Sequence, residues 1–122
     1  MKINWDEAPL VGGGEFGVTR RFVFGQRMSC LQMAVTTPGP LDIKPHWHEN
    51  EQWVVCTAGR IVFVCEDLEL DLEAGDVAYI PAGKFHTATR AGEEGGVCLE
   101  LSAPPRLDLV PGSIVPSALR FD

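Results

Sequence analysis

All three histidines of this 122-residue chain fall in two places, His46-Trp47-His48 and His86. Residues two apart in an extended segment point to one face, so His46 and His48 aim at a common point while Trp47 faces away. Two imidazoles on one side make half a metal site, and the turn Pro81-Ala82-Gly83 then delivers Lys84-Phe85-His86 with the third. Three imidazoles with open positions suit a catalytic ion better than a closed structural one, and ligand type leaves Fe, Ni, Zn and Mn as candidates. A fourth ligand is expected from Glu49, Asn50, Glu51 or Gln52. If a strand starts near Gln52, then Gln52, Val54 and Cys56 share one face. That parity favours Gln52, and Glu51 is the alternative if the loop has not yet become strand.

Other groups could serve substrate. Glu100 and Ser102 have the parity of Cys98, while Leu99 and Leu101 face the other side, toward the expected core. A carboxylate beside a bound substrate moves protons as general base or acid, which makes Glu100 a candidate. Arg106, after Pro104-Pro105, could clamp a substrate carboxylate with its forked donors. Arg90 has the parity of His86 and is expected in the same cavity, with Cys30 and Gln32 lining it from another strand. The competing reading of each charged group is a solvated side chain. Trp47, Trp53 and Phe85 are expected in core or dimer packing.

These groups need a scaffold, and the chain supplies short strands cut by turns at intervals of roughly 8 to 12 residues, the pattern of an antiparallel sandwich or barrel. Expected strands are 19–24, 28–36, 44–48, 52–57, 60–65, 68–73, 77–80, 84–90 and 97–102. Leu68, Leu70 and Leu72 alternate with Glu69, Asp71 and Glu73, as in a half-buried strand. The 13 glycines and 9 prolines fit such a turn-rich chain. No stretch keeps helical periodicity over three turns. We expect a single domain 1–122, with a barrel core at about 19–103. An N-terminal arm, 1–18, would be joined flexibly through Gly12-Gly13-Gly14 and free to reach a second subunit. Pro104, Pro105, Pro111 and Pro116 would keep a tail, 104–122, out of any central strand and on the outside.

Composition narrows the function classes. With 10 Lys and Arg against 17 Asp and Glu, the net charge of −7 repels phosphate backbones and anionic lipid. Neither nucleic acid nor a membrane is an expected partner. The first residues carry no apolar signal core and no apolar run approaches the ~20 residues of a membrane helix. The expectation is a cytoplasmic protein, a homodimer acting on a small anionic molecule. Cys30, Cys56, Cys65 and Cys98 form no C-x-x-C pair and mostly sit in apolar runs, so reduced, buried thiols are expected.

The ordered residues resemble the two motifs of the cupin family. The first matches at Gly39, His46-Trp47-His48, Gln52 and Gly59; the second at Gly75-Asp76-Val77-Ala78-Tyr79-Ile80-Pro81-Ala82-Gly83-Lys84-Phe85-His86. Departures are a Gly39 spacing longer by one, Gln52 where the family usually has Glu, and Arg90 where it often has Asn. The resemblance implies a small double-stranded antiparallel β-barrel of the jelly-roll type, all-β, holding one divalent transition metal in its mouth. Gln in place of Glu leaves the ion its full charge. That strengthens it as a Lewis acid and makes oxidation of Fe(II) less favourable.

A narrower resemblance joins Gly17-Val18-Thr19-Arg20-Arg21, Gly25-Gln26-Arg27-Met28, Glu51-Gln52 and Glu100-Leu101-Ser102-Ala103-Pro104-Pro105-Arg106. These look like the small cupins that linearise unsaturated uronates from pectin and alginate breakdown. That subgroup uses three histidines and a Gln on its metal, and its acidic residue and Arg would map onto Glu100 and Arg106. An aromatic residue of its site falls at Ser102, where the match fails. The resulting expectation is a metal-dependent lyase or isomerase acting on a small carbonyl or sugar-acid substrate. A non-haem iron dioxygenase and a non-catalytic ligand-binding module are the alternatives.

Overall fold

A computed structural model describes residues 1–12 and 16–122. The described residues form one sheet of seven strands in the order β1-β2-β7-β4-β5, with β3 on β7 and β6 on β4. The strands are β1 (Val18–Phe24), β2 (Ser29–Val35), β3 (Gly39–Pro40), β4 (Glu51–Cys65), β5 (Leu68–Glu73), β6 (Val77–Ile80) and β7 (His86–Ala103). Every pairing is antiparallel. Single 3-10 turns lie at Trp5–Glu7 and Leu107–Leu109.

The expected breaks at Ala58-Gly59 and Gly92–Gly96 do not end strands. They bend two long ones, β4 of 15 residues and β7 of 18. The first half of β4 lies between β6 and the second half of β7, and its second half lies between β5 and the first half of β7. Strands that switch layers at bulges make the corners of such double sheets. Here the pairing slips at Cys56/Ala58, Gly59/Ile61 and Val62/Phe63. Gly59 has φ 63°, and a Cβ there would overlap the Gly95 carbonyl oxygen; a Cβ on Gly95, φ 76°, would overlap that of Val35. Only glycine lets the bent backbones meet this closely. Bending also returns both ends of both strands to one mouth, so Gln52, Phe63, His86 and Glu100 all line one cavity.

The interior is packed by alternating residues, among them Phe22, Leu31, Met33, Val54, Ile61, Ile80 and Cys98. Ile61 and Ile80 are fully buried, each worth about 2–3 kcal/mol by area. In β2, Ser29, Leu31, Met33 and Val35 point inward. Cys30 and Gln32 therefore face out, contrary to expectation, and Leu31 and Met33 line the cavity instead. The parity expected for Leu99 and Leu101 holds but the sides are reversed: Cys98 is buried and Ser102 nearly so, while the leucines lie half-buried on the outer face. They share that face with Trp53, Val55, Val77 and Tyr79, of which Trp53, Val77 and Tyr79 are exposed. Inside a barrel the core is the concave side, and alternation alone does not say which side that is.

The arm is tied down where it is described. Pro9 O accepts from Phe22 N and Val11 N donates to Arg20 O, which adds a short edge to this chain's own β1. Gly13 and Gly14 of the expected hinge lie outside the described residues. Cys56, Cys65 and Cys98 are buried and Cys30 is half-buried, and all four are free thiols. Burial raises every one of their pKa values, Cys30 to about 11, so none is poised as a nucleophile.

Candidate metal centre

His46 and His86 meet across an antiparallel bridge, His46 N donating to His86 O at 3.1 Å and His86 N to His46 O at 2.8 Å. Directly opposed residues present their side chains on the same face. Their ring centres are 4.7 Å apart; those of His48 and His86 are 4.9 Å apart, and those of His46 and His48 6.2 Å. Each Nδ1 lies 2.9 Å from a backbone carbonyl, of Lys44 for His46, Asn50 for His48 and Lys84 for His86. A carbonyl only accepts, so each Nδ1 carries the hydrogen and each Nε2 keeps its lone pair. Outer hydrogen bonds of this kind fix the tautomer of metal-binding histidines.

Gln52, in β4, is buried between Ile80 and Ser102 of the neighbouring strands. Its Nε2 donates to Glu100 Oε1 at 2.8 Å, which turns its Oε1 toward His48 Nε2 at 3.1 Å. Two lone pairs then face one another, and they need either an imidazolium or a cation between them. Burial, and next to it the Arg106 charge, lower His48 from its ordinary pKa, which disfavours the imidazolium. Burial likewise lowers His46, and takes His86 to about 4. Three neutral imidazoles lining one cavity, with an amide oxygen beside one of them, are a donor set whose chemistry suits a divalent ion. Counting His, Cys, Asp and Glu alone, no three described side chains are drawn close enough to hold an ion as they stand. Of the three ring separations, that between His46 and His48 is the widest. Glu51 is exposed and accepts from Trp53 Nε1 at 3.4 Å, so of the two alternatives it is Gln52 that stands beside the imidazoles.

The cavity above these groups measures about 350 Å³ and also admits Arg20, Lys44, Glu100 and Arg106. Burial pushes the Glu100 carboxyl up, with Arg20, the Gln52 amide and Arg106 pulling against it. Arg106 is buried, but its fork is engaged: Nε and Nη2 each reach a carboxylate oxygen of Asp108 at 2.8 Å. Asp108 thus takes one edge of the fork that was expected to clamp substrate. Arg106 also contributes a fixed positive field, which lowers all three histidines.

Arg90 does not join the site. The slip at Val62/Phe63 places Ala88 opposite Phe63 but Arg90 opposite Val62, so Thr89 is an extra residue. One inserted residue reverses the alternation. Arg90 is thrown outward to a surface groove with Arg60 and Pro40. Arg20 takes the role of second cavity arginine. The alternation Val18-Arg20-Phe22, with Phe22 buried, was the signal that could have found it. In sequence, Asn50 stands only as a candidate fourth ligand and Asp108 is not among the candidates. Asn50 gives its carbonyl to His48 and its Nδ2 to Pro104 O at 2.6 Å; Asp108 holds Arg106 and also accepts from Ala118 N at 3.0 Å.

The tail does not stay outside. Trp47 and Arg120 exchange two backbone hydrogen bonds of 2.9 Å, which takes Trp47 out of the expected core and brings Leu119 and Phe121 into the cavity wall. The Phe121 ring lies 6.3 Å from that of His46 and 4.7 Å below Lys44 Nζ.

No curated protein sequence matches the chain. Among solved structures, an RmlC-like cupin from Shewanella frigidimarina is similar at TM-score 0.70 and 20% identity, over 86% of this chain and 91% of that one. KdgF from Halomonas sp. is similar at 0.71 and 21%, over 86% and 94%. Bacillus subtilis oxalate decarboxylase, a protein with Mn(II) centres, matches at 0.71 and 20%, over 84% of this chain but only 29% of its own. The cupin domain family matches residues 32–102, which span both histidine segments and the strands that carry Gln52 and Glu100, and the chain belongs to that family.

Proposed function

We propose that the chain is a metal-dependent lyase or isomerase for a small anionic carbonyl compound or sugar acid. His46, His48, His86 and Gln52 would hold one divalent transition ion, which when bound supplies Lewis acidity to a carbonyl or hydroxyl oxygen. The observation that carries this reading is the Gln52 amide, whose oxygen meets His48 Nε2 while its N–H holds Glu100. One side chain thus links the ligand set to a carboxylate with an elevated pKa. A raised pKa makes a carboxylate a stronger base toward a substrate proton. Glu100 Oε2, the oxygen not engaged by the amide, takes the substrate proton and returns it. Arg20, Lys44 and Arg106 make the cavity favourable to an anion although the chain as a whole carries −7. The similarity to KdgF and to oxalate decarboxylase supports a cupin scaffold for such chemistry, and the uronate-linearising resemblance supports the lyase or isomerase class.

Elemental analysis of purified protein tests the centre. The expected result is about one transition metal per chain, lost in His86→Ala and much reduced in Gln52→Ala. Failure to take up added Fe, Ni, Mn or Zn would sink the Lewis-acid mechanism.

A further inference from the structure

The cavity lining combines polar and charged groups with a set of apolar side chains. The imidazoles, Gln52 and Glu100 form one cluster, joined there by Arg20 and Arg106. The remaining wall includes Met33, Ile43, Leu109, Leu119 and Phe121. Thr87 also lines it, its hydroxyl donating to Ile43 O at 2.8 Å and so offering a ligand an acceptor only. Lys44 sits over the Phe121 face. Phe121 is 46% exposed and its ring meets His46 edge-on, so the part of the ring not covered by Lys44 offers apolar surface next to an imidazole. The paired backbone bonds of Trp47 and Arg120 and the Asp108–Ala118 bond hold this wall in place.

We infer that the substrate is an oxo- or hydroxy-carboxylate whose body beyond the reacting oxygens is apolar, of roughly leucine or phenylalanine side-chain size, and that Leu119 and Phe121 select for it. This rests on the metal-centre reading above and chooses between the carbonyl and sugar-acid classes left open there. A polyhydroxylated body would lay its hydroxyls against Met33, Leu109, Leu119 and Phe121. Each hydroxyl stripped of water without a partner loses about tenfold or more in affinity. Each methylene placed there gains about fourfold. A cavity of about 350 Å³ is at the small end of ligand sites, and a carboxylate head with one such side chain is of suitable size.

Calorimetric titration of the purified, metal-containing protein with pyruvate, 4-methyl-2-oxopentanoate, phenylpyruvate and galacturonate tests this without turnover. We expect one or both of the apolar-bodied acids to bind at least tenfold tighter than pyruvate and galacturonate, with a more negative heat-capacity change. In Phe121→Ala the advantage should shrink to threefold or less, and Phe121→Leu should restore part of it. A purely structural role for Phe121 would weaken all four acids alike and leave the ratio standing. An unchanged ratio in Phe121→Ala, or galacturonate binding as tightly as phenylpyruvate, overturns the inference and spares the metal centre. Binding of none of the four by protein shown to contain metal overturns the anionic-substrate reading together with the inference.

Discussion

Midway along β4 and β7, Gly59, Gly95 and Gly96 let backbone lie against backbone with no side chain between, and two of the three adopt positive φ. At the ends of the same strands, Gln52, His86 and Glu100 line a cavity with polar side chains that hydrogen bonds orient. The two regions depend on each other through the bend: backbone contact at the glycines brings the strand ends together at the mouth. Precision in the first is steric and intolerant of any added atom. Precision in the second comes from hydrogen bonds, and substitution there should change chemistry more than folding.

The contrast is most exposed to failure at Gly95. Gly95→Ala combines a disfavoured backbone conformation with overlap on Val35 O, and should cost about 3 kcal/mol or more of a total near 5–15. A urea midpoint equal to that of the parent protein would break the steric half of the comparison. Glu100→Gln should leave metal content and the unfolding midpoint nearly unchanged while slowing exchange of the substrate's α-hydrogen, followed by NMR in D2O, by about 10²-fold or more. Equal exchange rates would remove Glu100 from the chemistry.

Asp108 sharpens the comparison with a pH dependence. Its burial would raise the carboxyl, but Arg106 and the Ala118 amide outweigh this and hold it below its ordinary value. A carboxyl whose folded pKa is depressed contributes stability above its unfolded value and loses it as pH falls through the folded one. The contribution is therefore complete above about pH 4 and disappears below. Asp108→Asn should cost about 2 kcal/mol at pH 7 and flatten the acid limb of the curve of melting temperature against pH. Parallel curves would show that the pair does not titrate in this window. Smallest of all, Phe121→Ala should shift stability by less than about 1 kcal/mol, since the residue is half exposed and belongs to no strand.

Much of this was legible because two simple periods carried it. Alternation located most strands, with β5 and β6 at their expected bounds, and paired His46 with His48 and Glu100 with Cys98. It also preferred Gln52 to Glu51. The same rule failed wherever a residue is inserted. Thr89 is silent in sequence, yet it moves Arg90 from the cavity to the surface. Gly59 and Gly92–Gly96 read as turns because glycine marks sharp bends and turns alike. Asp108 escaped notice because its partner was assigned to substrate: spacing shows that a guanidinium can reach a carboxylate, not whose carboxylate it is. The tail was placed outside on its prolines, which exclude ladders but not the two-bond contact between Trp47 and Arg120.

That contact has an evolutionary consequence. Leu119 and Phe121 enter the cavity from a segment that carries none of the candidate metal ligands and no strand of the sheet. Replacements there draw little on the reserve that keeps a protein folded, so a lineage can sample them freely. The candidate ligands are bound by contrast to the sheet, Gln52 and His86 on β4 and β7 and His46 through its bridge to His86. Descendants of this barrel can therefore diverge in what they accept while conserving what they do to it, and tail sequences should vary among them faster than either histidine segment.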